Sequence, residues 1–567
     1  MNEHVCRRLV LLLDGTWNED DEDHPATNIV YLRERLFWGL QSRLRRKQSS
    51  DVTQFNALPP SIKQKGVTGL MFDGFEYIVY YDRGVGTGAL LDVIKGGLTG
   101  DGLDDNIREA YRFLSFWFRP GDEIFVFGFS RGAFTARSLC GYLQAAGLLR
   151  CDQCNEDNEK RAWKFYRTPP GERLSADWLY FRSAEVSGGV TRVHDENTMR
   201  VRALGVFDTV GALGIPAEGL RRLNRAKYEF HDPEANSIVD IRLHAVAIDE
   251  PRKAFAPTLW TKPKFKKVSQ TRSPTEQVWF PGAHADIGGG YVKWNQKDFG
   301  LAHLPLAWML QRLRYHLINT PHLASVPANL KLALTPDRNV PIPFYIEDLL
   351  DFDDPAAALK YGPPIKGDVR SLSVFAQHMP WAVVTSVRPG IRLINQLPLP
   401  KPASDEQQGR VPHADPIGET IHVSALERLR SGQPIKIEKG RVMNLVDGAR
   451  KFVGLLDQRY RPHNLVSVIP YIAATYLDTH KINSKWQPFV AEIYSWKHVR
   501  VTDWDGKILD PEHEDDVKRV FEILPVPGDI GVTKIPEEMT FIKLPDIISE
   551  RRRLHREGKP APSGDDL

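Results

Sequence analysis

The chain has 567 residues, enough for one large α/β domain with insertions or for two to three domains. Apolar residues make up 42% and charged residues 26%, the balance of an ordinary globular protein, and the net charge of +3 gives no electrostatic case for a nucleic-acid partner. The four cysteines, Cys6, Cys140, Cys151 and Cys154, are too few for a disulfide framework. Cys151-x-x-Cys154 lacks a second ligand pair and reads as a polar loop, so no metal or cofactor is expected. The apolar run at residues 9–13 is too short for a signal peptide, and no stretch approaches the ~18 apolar residues of a membrane span. Synthesis in the cytoplasm, without a signal peptide, is the expectation.

In chain order, residues 5–13 read as a buried strand, followed by the turn-rich loop Asp14-Gly15-Thr16-Trp17-Asn18. Residues 30–48 have the spacing of an amphipathic helix ending in a basic cluster. A strand at 76–81 leads into Asp82-Arg83-Gly84-Val85-Gly86-Thr87-Gly88. Ile107, Ala110, Tyr111, Leu114 and Phe118 recur at helical spacing over 105–118. The next strand, 122–129, ends in Gly128-Phe129-Ser130-Arg131-Gly132 and is followed by a helical pattern. Residues 151–200 are polar and read as an irregular insertion. Further strands are expected at 201–207, ending at Asp208, at 241–248, ending at Asp249-Glu250, and at 277–280, leading into Pro281-Gly282-Ala283-His284-Ala285-Asp286. Beyond about residue 320 the strand–helix rhythm fades into Pro-rich and acidic loops, and roughly the last 12 residues have a disordered composition. No internal repeat is found.

This alternation predicts an α/β fold with a mostly parallel sheet, helical insertions or a cap, and a C-terminal extension. The expected division is a catalytic domain over 5–320 with insertions near 30–72 and 150–200, a cap or membrane-contact region over 321–470, and an extension over 471–567. Residues 372–394, apolar and containing Trp381, and the basic tracts at 43–47 and 551–556 suit an anionic lipid surface, or equally a buried helix and solvated charge.

Gly-x-Ser-x-Gly between a strand and a helix is the layout of a nucleophile elbow, with Ser130 at the apex. A serine hydroxyl needs a base, histidine is the natural one, and a carboxylate fixes the histidine's tautomer. Ser130, Asp208 and His284 follow strand ends in the chain order of α/β-hydrolases. Asp208 could instead cap a helix, and Asp286 is a rival third member or a ligand of the Gly288–Gly290 amides. The Arg131 amide is one candidate oxyanion donor, and the Asp14-Gly15-Thr16 loop is the candidate for the other. Asp14 and Asn18 could alternatively do no more than organise that turn. Gly84-x-Gly86-x-Gly88 lacks dinucleotide-fingerprint spacing and reads as a turn at the site's rim.

The segments Asp14-Gly15-Thr16-Trp17-Asn18, Tyr81-Asp82-Arg83-Gly84-Val85-Gly86-Thr87, Gly128-Phe129-Ser130-Arg131-Gly132-Ala133, Gly205-Val206-Phe207-Asp208-Thr209, His244-Ala245-Val246-Ala247-Ile248-Asp249-Glu250-Pro251-Arg252 and Trp279 to Tyr291 together resemble the α/β-hydrolase domain of the Tle-type phospholipase effectors of bacterial type VI secretion systems. The resemblance covers roughly residues 5–315 and implies a triad of Ser130, Asp208 and His284 acting on glycerophospholipid acyl esters without a metal. It also implies a phospholipid membrane surface as partner, a cognate immunity protein, a type VI spike or adaptor protein, and delivery to a target-cell periplasm. Two other readings of the same residues are a soluble carboxylesterase or thioesterase and a hydrolase-like scaffold without catalysis.

Overall fold

A strand covered on both faces must be apolar on both, and the strands at Cys6–Leu13 and Glu123–Phe129 become continuous apolar runs once past the charged residues at their amino-terminal ends. The computed structural model describes residues 6–15, 25–33, 36, 67–72, 75–84, 101–185, 187–210, 238–250, 255, 257–260, 274–293, 301–319, 420–431, 463–477 and 499–527. Among these the strands are β1 (Cys6–Leu13), β2 (Pro25–Thr27), β3 (Val67–Phe72), β4 (Phe75–Asp82), β5 (Glu123–Phe129), β6 (Leu148–Leu149), β7 (Val193–His194), β8 (Val201–Phe207), β9 (Val239–Ala247), β10 (Thr275–Phe280), β11 (Gly289–Lys293), β12 (Thr420–His422) and β13 (Arg500–Thr502). The helices are α1 (Asp101–Trp117), α2 (Arg131–Ala146), α3 (Glu156–Arg167), α4 (Ser175–Arg182), α5 (His284–Gly288), α6 (His303–Asn319), α7 (Val423–Ser431), α8 (His463–Leu477) and α9 (Glu514–Ile523).

Nine strands form one sheet in the order β13-β12-β10-β9-β8-β5-β1-β4-β3. All pair in parallel except the edge strand β3, which runs antiparallel to β4. Strand alternation divides the core. Leu9, Leu11 and Leu13 of β1 join Ile124 and Val126 of β5 on one face, under α1 and α2. Val10 and Leu12 join Phe125, Phe127 and Phe129 on the other face, under α6. A third apolar cluster gathers Ile421, Val501 and residues of α7, α8 and α9 around the β12–β13 end.

The amino-terminal ends of the strands are tied by buried ion pairs. Arg7 holds Asp122 at 2.6 Å, Arg8 holds Glu123 at 2.8 Å, and Arg200 holds Asp240 at 2.6 Å. Arg312 of α6 binds Glu276 through both carboxylate oxygens, and His316 reaches the same carboxylate at 2.6 Å. Burial by itself would raise the Glu276 pKa, but the hydrogen bonds of His316 and Arg312 outweigh it and hold that pKa below its ordinary value.

The α/β architecture with a mostly parallel sheet is as the strand–helix alternation predicts, and two regional readings need correction. Residues 151–200 are not irregular: they contain α3, α4 and the β6–β7 pair. The helix α3 is charged enough to read as polar by composition, although Ala162, Phe165 and Tyr166 fall on one inward face at helical spacing. The strand rhythm also does not end near 320, because β12 and β13 extend the main sheet. They were invisible because each has three residues, Thr-Ile-His and Arg-Val-Thr, too short to show periodicity. The sheet therefore draws on residues assigned above to the cap and to the extension. The helix read over 30–48 begins by residue 28, and 34–35 and 37–48 lie outside the described residues, as do 372–394, the basic tract at 551–556 and the terminal 12.

Candidate active site

Every residue of β5 is buried, and the chain leaves its carboxyl end through a turn that admits no Cβ at two positions. A Cβ on Gly132 would lie 2.1 Å from the Leu13 carbonyl oxygen, and one on Gly128 would lie 2.5 Å from the Gly132 oxygen. Helix α2 can therefore start directly against the ends of β1 and β5. Between the glycines, Ser130 sits at φ 57° and ψ −119°. Such a conformation costs on the order of 1–3 kcal/mol in a residue with a side chain and persists only where packing enforces it. The Ser130 N–H donates to the Phe207 carbonyl at 3.1 Å, which ties the turn to the end of β8.

Asp208 follows β8 and is fully buried. Its φ is 39°; among the described residues it and Ser130 are the non-glycine residues with positive φ. Oδ1 accepts the Ala247 N–H at 2.9 Å, while the Asp208 N–H donates to the Ala245 carbonyl at 2.7 Å. The carboxylate is thus pinned to β9 through one oxygen, and the other faces His284.

His284 opens α5, on the loop after β10. Its Nδ1 lies 2.6 Å from Asp208 Oδ2, and its Nε2 lies 2.8 Å from Ser130 Oγ. A carboxylate only accepts, so Nδ1 carries the proton and donates to Asp208. Nε2 is then the acceptor for the Ser130 hydroxyl. The imidazole packs against Phe129 at 4.8 Å and against Phe255 at 4.9 Å. Ser130 and His284 are 7% and 6% exposed, so the hydroxyl and the base are reached from a narrow surface.

Two further carboxylates position this histidine. Glu250, which the sequence reading quoted within a motif but gave no role, accepts the His284 backbone N–H at 3.2 Å. Its neighbour Asp249 accepts the Gly282 N–H at 2.6 Å. The signal for both was their place at the end of β9, next to the strand that delivers His284. The carboxylate on His284 Nδ1 is that of Asp208 and not that of Asp286, whose Oδ2 accepts the Ala283 N–H at 2.9 Å and so caps α5.

Asp14 anchors the adjoining turn. Fully buried, it accepts from the Gly15 N–H at 2.6 Å, the Thr27 hydroxyl at 2.7 Å and the Tyr81 hydroxyl at 3.1 Å. The Gly15 amide, an expected oxyanion donor, is thus engaged by Asp14 in this structure. Thr16, like Trp17 and Asn18, lies outside the described residues. Arg131 is the first residue of α2, where a helical N–H has no partner within its own helix. Gly84, at φ 81°, brings its backbone so close to this turn that a Cβ would lie 2.7 Å from the Asp14 carbonyl oxygen. That agrees with its reading as a rim turn; Gly86 and Gly88 lie outside the described residues. Cys151 and Cys154 flank a short 3₁₀ turn in which Cys151 is exposed.

Among known proteins, a curated relative is the uncharacterized protein YEL023C of Saccharomyces cerevisiae, 30% identical over 223 residues, which are 36% of this chain and 31% of the relative. The chain thus spans about a third of that relative's length. Two solved structures overlay loosely. One is a Tle1 effector bound to the VgrG spike of a type 6 secretion system, at 20% identity, TM-score 0.23 and 51% of each chain. The other is an uncharacterized protein from Pseudomonas aeruginosa, at 16% identity, TM-score 0.25, covering 58% of this chain and 48% of that one. Residues 7–312, more than half of the sequence, match the catalytic domain of the Tle1-like phospholipase effectors of the type VI secretion system, and the chain belongs to that family.

Proposed function

We propose that the chain is a serine hydrolase that cleaves acyl esters of glycerophospholipids through Ser130, His284 and Asp208. The observation that carries this reading is the continuous hydrogen-bonded path from Ser130 Oγ to His284 Nε2 and from Nδ1 to Asp208 Oδ2. In the proposed reaction His284 takes the Ser130 proton as Oγ attacks the acyl carbonyl. Asp208 holds the tautomer that leaves Nε2 free to accept and stabilises the imidazolium that forms. The Arg131 N–H is one oxyanion donor, and Thr16 is the candidate for the second. His284 returns the proton to the departing lysophospholipid alkoxide. Water, deprotonated by the same imidazole, then releases the fatty acid from Ser130.

Family membership supports phospholipid as the substrate and an effector role. On that role the chain is carried by a type VI spike or adaptor into the periplasm of a rival cell, and an immunity protein guards the producer. It would work peripherally at the membrane, with the 321–470 region as cap. Among the described residues no helix is long and apolar enough to cross a membrane. Mass spectrometry of the products formed from mixed phospholipids tests the reading. Release of free fatty acid and lysophospholipid is expected. Hydrolysis of short soluble esters with intact phospholipids would replace it with a soluble esterase.

A further inference from the structure

A second histidine stands one residue from the acid of the triad, and the proposed reaction gives it no part. His244 of β9 and Gln277 of β10 are direct partners in the sheet ladder, and both are buried. The Thr209 N–H donates to His244 Nε2 at 3.3 Å, so Nε2 is unprotonated. The proton of the neutral ring is then on Nδ1, which lies 3.0 Å from Gln277 Oε1 and donates to it. The same Oε1 accepts the Trp260 N–H at 2.9 Å, and the Trp260 ring stands edge-on to the imidazole with 5.3 Å between centroids. The path from Thr209 through His244 to Gln277 therefore has one tautomer and one direction.

A histidine and a glutamine buried inside a sheet are unfavourable beside aliphatic residues unless their polar atoms are matched, and once matched they fix one arrangement. What this pair matches is the backbone directly after Asp208, whose φ of 39° must be enforced by its surroundings. Thr209 is held on its other side as well, because its carbonyl accepts the Thr258 N–H at 2.8 Å. Gln277 belongs to the strand that delivers His284. The pair thus ties the exit of β8, which carries the acid, to β10, which carries the base, by a path separate from the Asp208–His284 bond. We infer that His244 is a positioning residue of the active site. Its Nε2 fixes the turn at Thr209 and so aims Asp208 Oδ2 at His284 Nδ1, and Gln277 holds the tautomer this requires. The inference rests on the triad reading and adds to it a residue that acts through Asp208.

The test compares the full-length chain with His244→Asn, His244→Gln and Gln277→Met. An asparagine amide reaches the place of Nδ1 and leaves the Thr209 N–H without an acceptor, whereas a glutamine amide oxygen reaches the place of Nε2 and restores one. One arm measures kcat and KM on p-nitrophenyl butyrate and on phosphatidylglycerol in micelles of neutral detergent. In His244→Asn, kcat should fall about tenfold to a hundredfold on both, the range of one buried N–H left unpaired, with KM unchanged, and His244→Gln should recover most of it. A second arm follows the far-downfield proton resonance of His284 Nδ1–H, identified by its absence from His284→Ala. It should weaken or vanish in His244→Asn and persist in His244→Gln. Parent-like kcat in His244→Asn, a loss confined to KM, or equal losses in the two His244 variants would overturn the inference and make His244 a support of the sheet alone. Where His244→Asn does not fold, Gln277→Met decides: a lower kcat with a weakened resonance upholds the inference, and parent-like values overturn it. If the parent cleaves neither ester, or Ser130→Ala cleaves as fast as the parent, the triad reading fails and the resonance alone decides. Its loss in His244→Asn with retention in His244→Gln upholds the link to Asp208, and any other pattern overturns it.

Discussion

The two edges of the central sheet use the same kinds of residue in opposite ways. At the amino-terminal edge, charged groups are matched: Arg7 with Asp122, Arg8 with Glu123, Arg200 with Asp240, and Arg312 and His316 with Glu276. At the carboxyl-terminal edge a carboxylate, an imidazole and a hydroxyl form a chain that ends at Ser130 Oγ. Backbone strain follows the same division, since among the described residues both non-glycine residues with positive φ, Ser130 and Asp208, lie at the carboxyl edge. His316 and His284 make the contrast plainest. Each lies 2.6 Å from a carboxylate oxygen, but His316 shares its carboxylate with an arginine, whereas the second nitrogen of His284 meets a hydroxyl. A matched group locks the fold, and a group with one unmatched end is available for chemistry.

Substitutions at the two edges should therefore separate activity from stability. The largest effect on activity is expected at Asp208→Asn, which tolerates positive φ but presents the wrong partner to Nδ1. Its kcat should fall about 10⁴-fold with little change in melting temperature; activity near that of the parent would mean that another carboxylate orients His284. Gly132→Ala should damage both properties, because its Cβ would lie 2.1 Å from a backbone oxygen that cannot move without shifting β1. A stability loss of about 4 kcal/mol or more is expected in chemical denaturation. At the opposite edge, Glu276→Gln should cost about 3–5 kcal/mol at neutral pH while the folded protein keeps its turnover.

The sign of the pH effect follows from Glu276 itself, whose folded pKa is depressed. Its stabilisation is present above the unfolded value of about 4.5 and is lost as pH falls through the lower folded value. Glu276→Gln should flatten that part of the acid unfolding profile; an unchanged profile would place the acid sensitivity elsewhere. The smallest effect is expected at Glu250→Ala, which removes the acceptor of the His284 N–H. A drop in kcat of about tenfold would match one lost hydrogen bond to a charged group.

The parts of this arrangement that a sequence can announce are those with a long signal. β1, β5 and β8 are strands of seven or eight residues that finish in apolar stretches, so their ends, and with them Ser130 and Asp208, could be located. His284 was legible because it lies between small residues just after β10. The choice between Asp208 and Asp286 was not legible, since both stand near strand ends and only the fold shows which reaches Nδ1. The bond from the Gly15 amide to Asp14 was not legible for a local reason: an aspartate can bind the N–H of the residue after it, a contact that leaves no pattern. Three-residue strands fall below what periodicity can reveal, the polar composition of helix α3 masks its one apolar face, and the ion pairs of the opposite edge join residues up to 115 positions apart.

The central claim is that the unmatched end at the carboxyl edge, Ser130 Oγ, is the nucleophile. Fatty-acid release from phospholipid vesicles by the Ser130→Ala protein, with its melting temperature recorded beside that of the parent, tests it most directly. Release should fall to the uncatalysed background while the melting temperature stays unchanged. Release at the parent's rate would contradict the account.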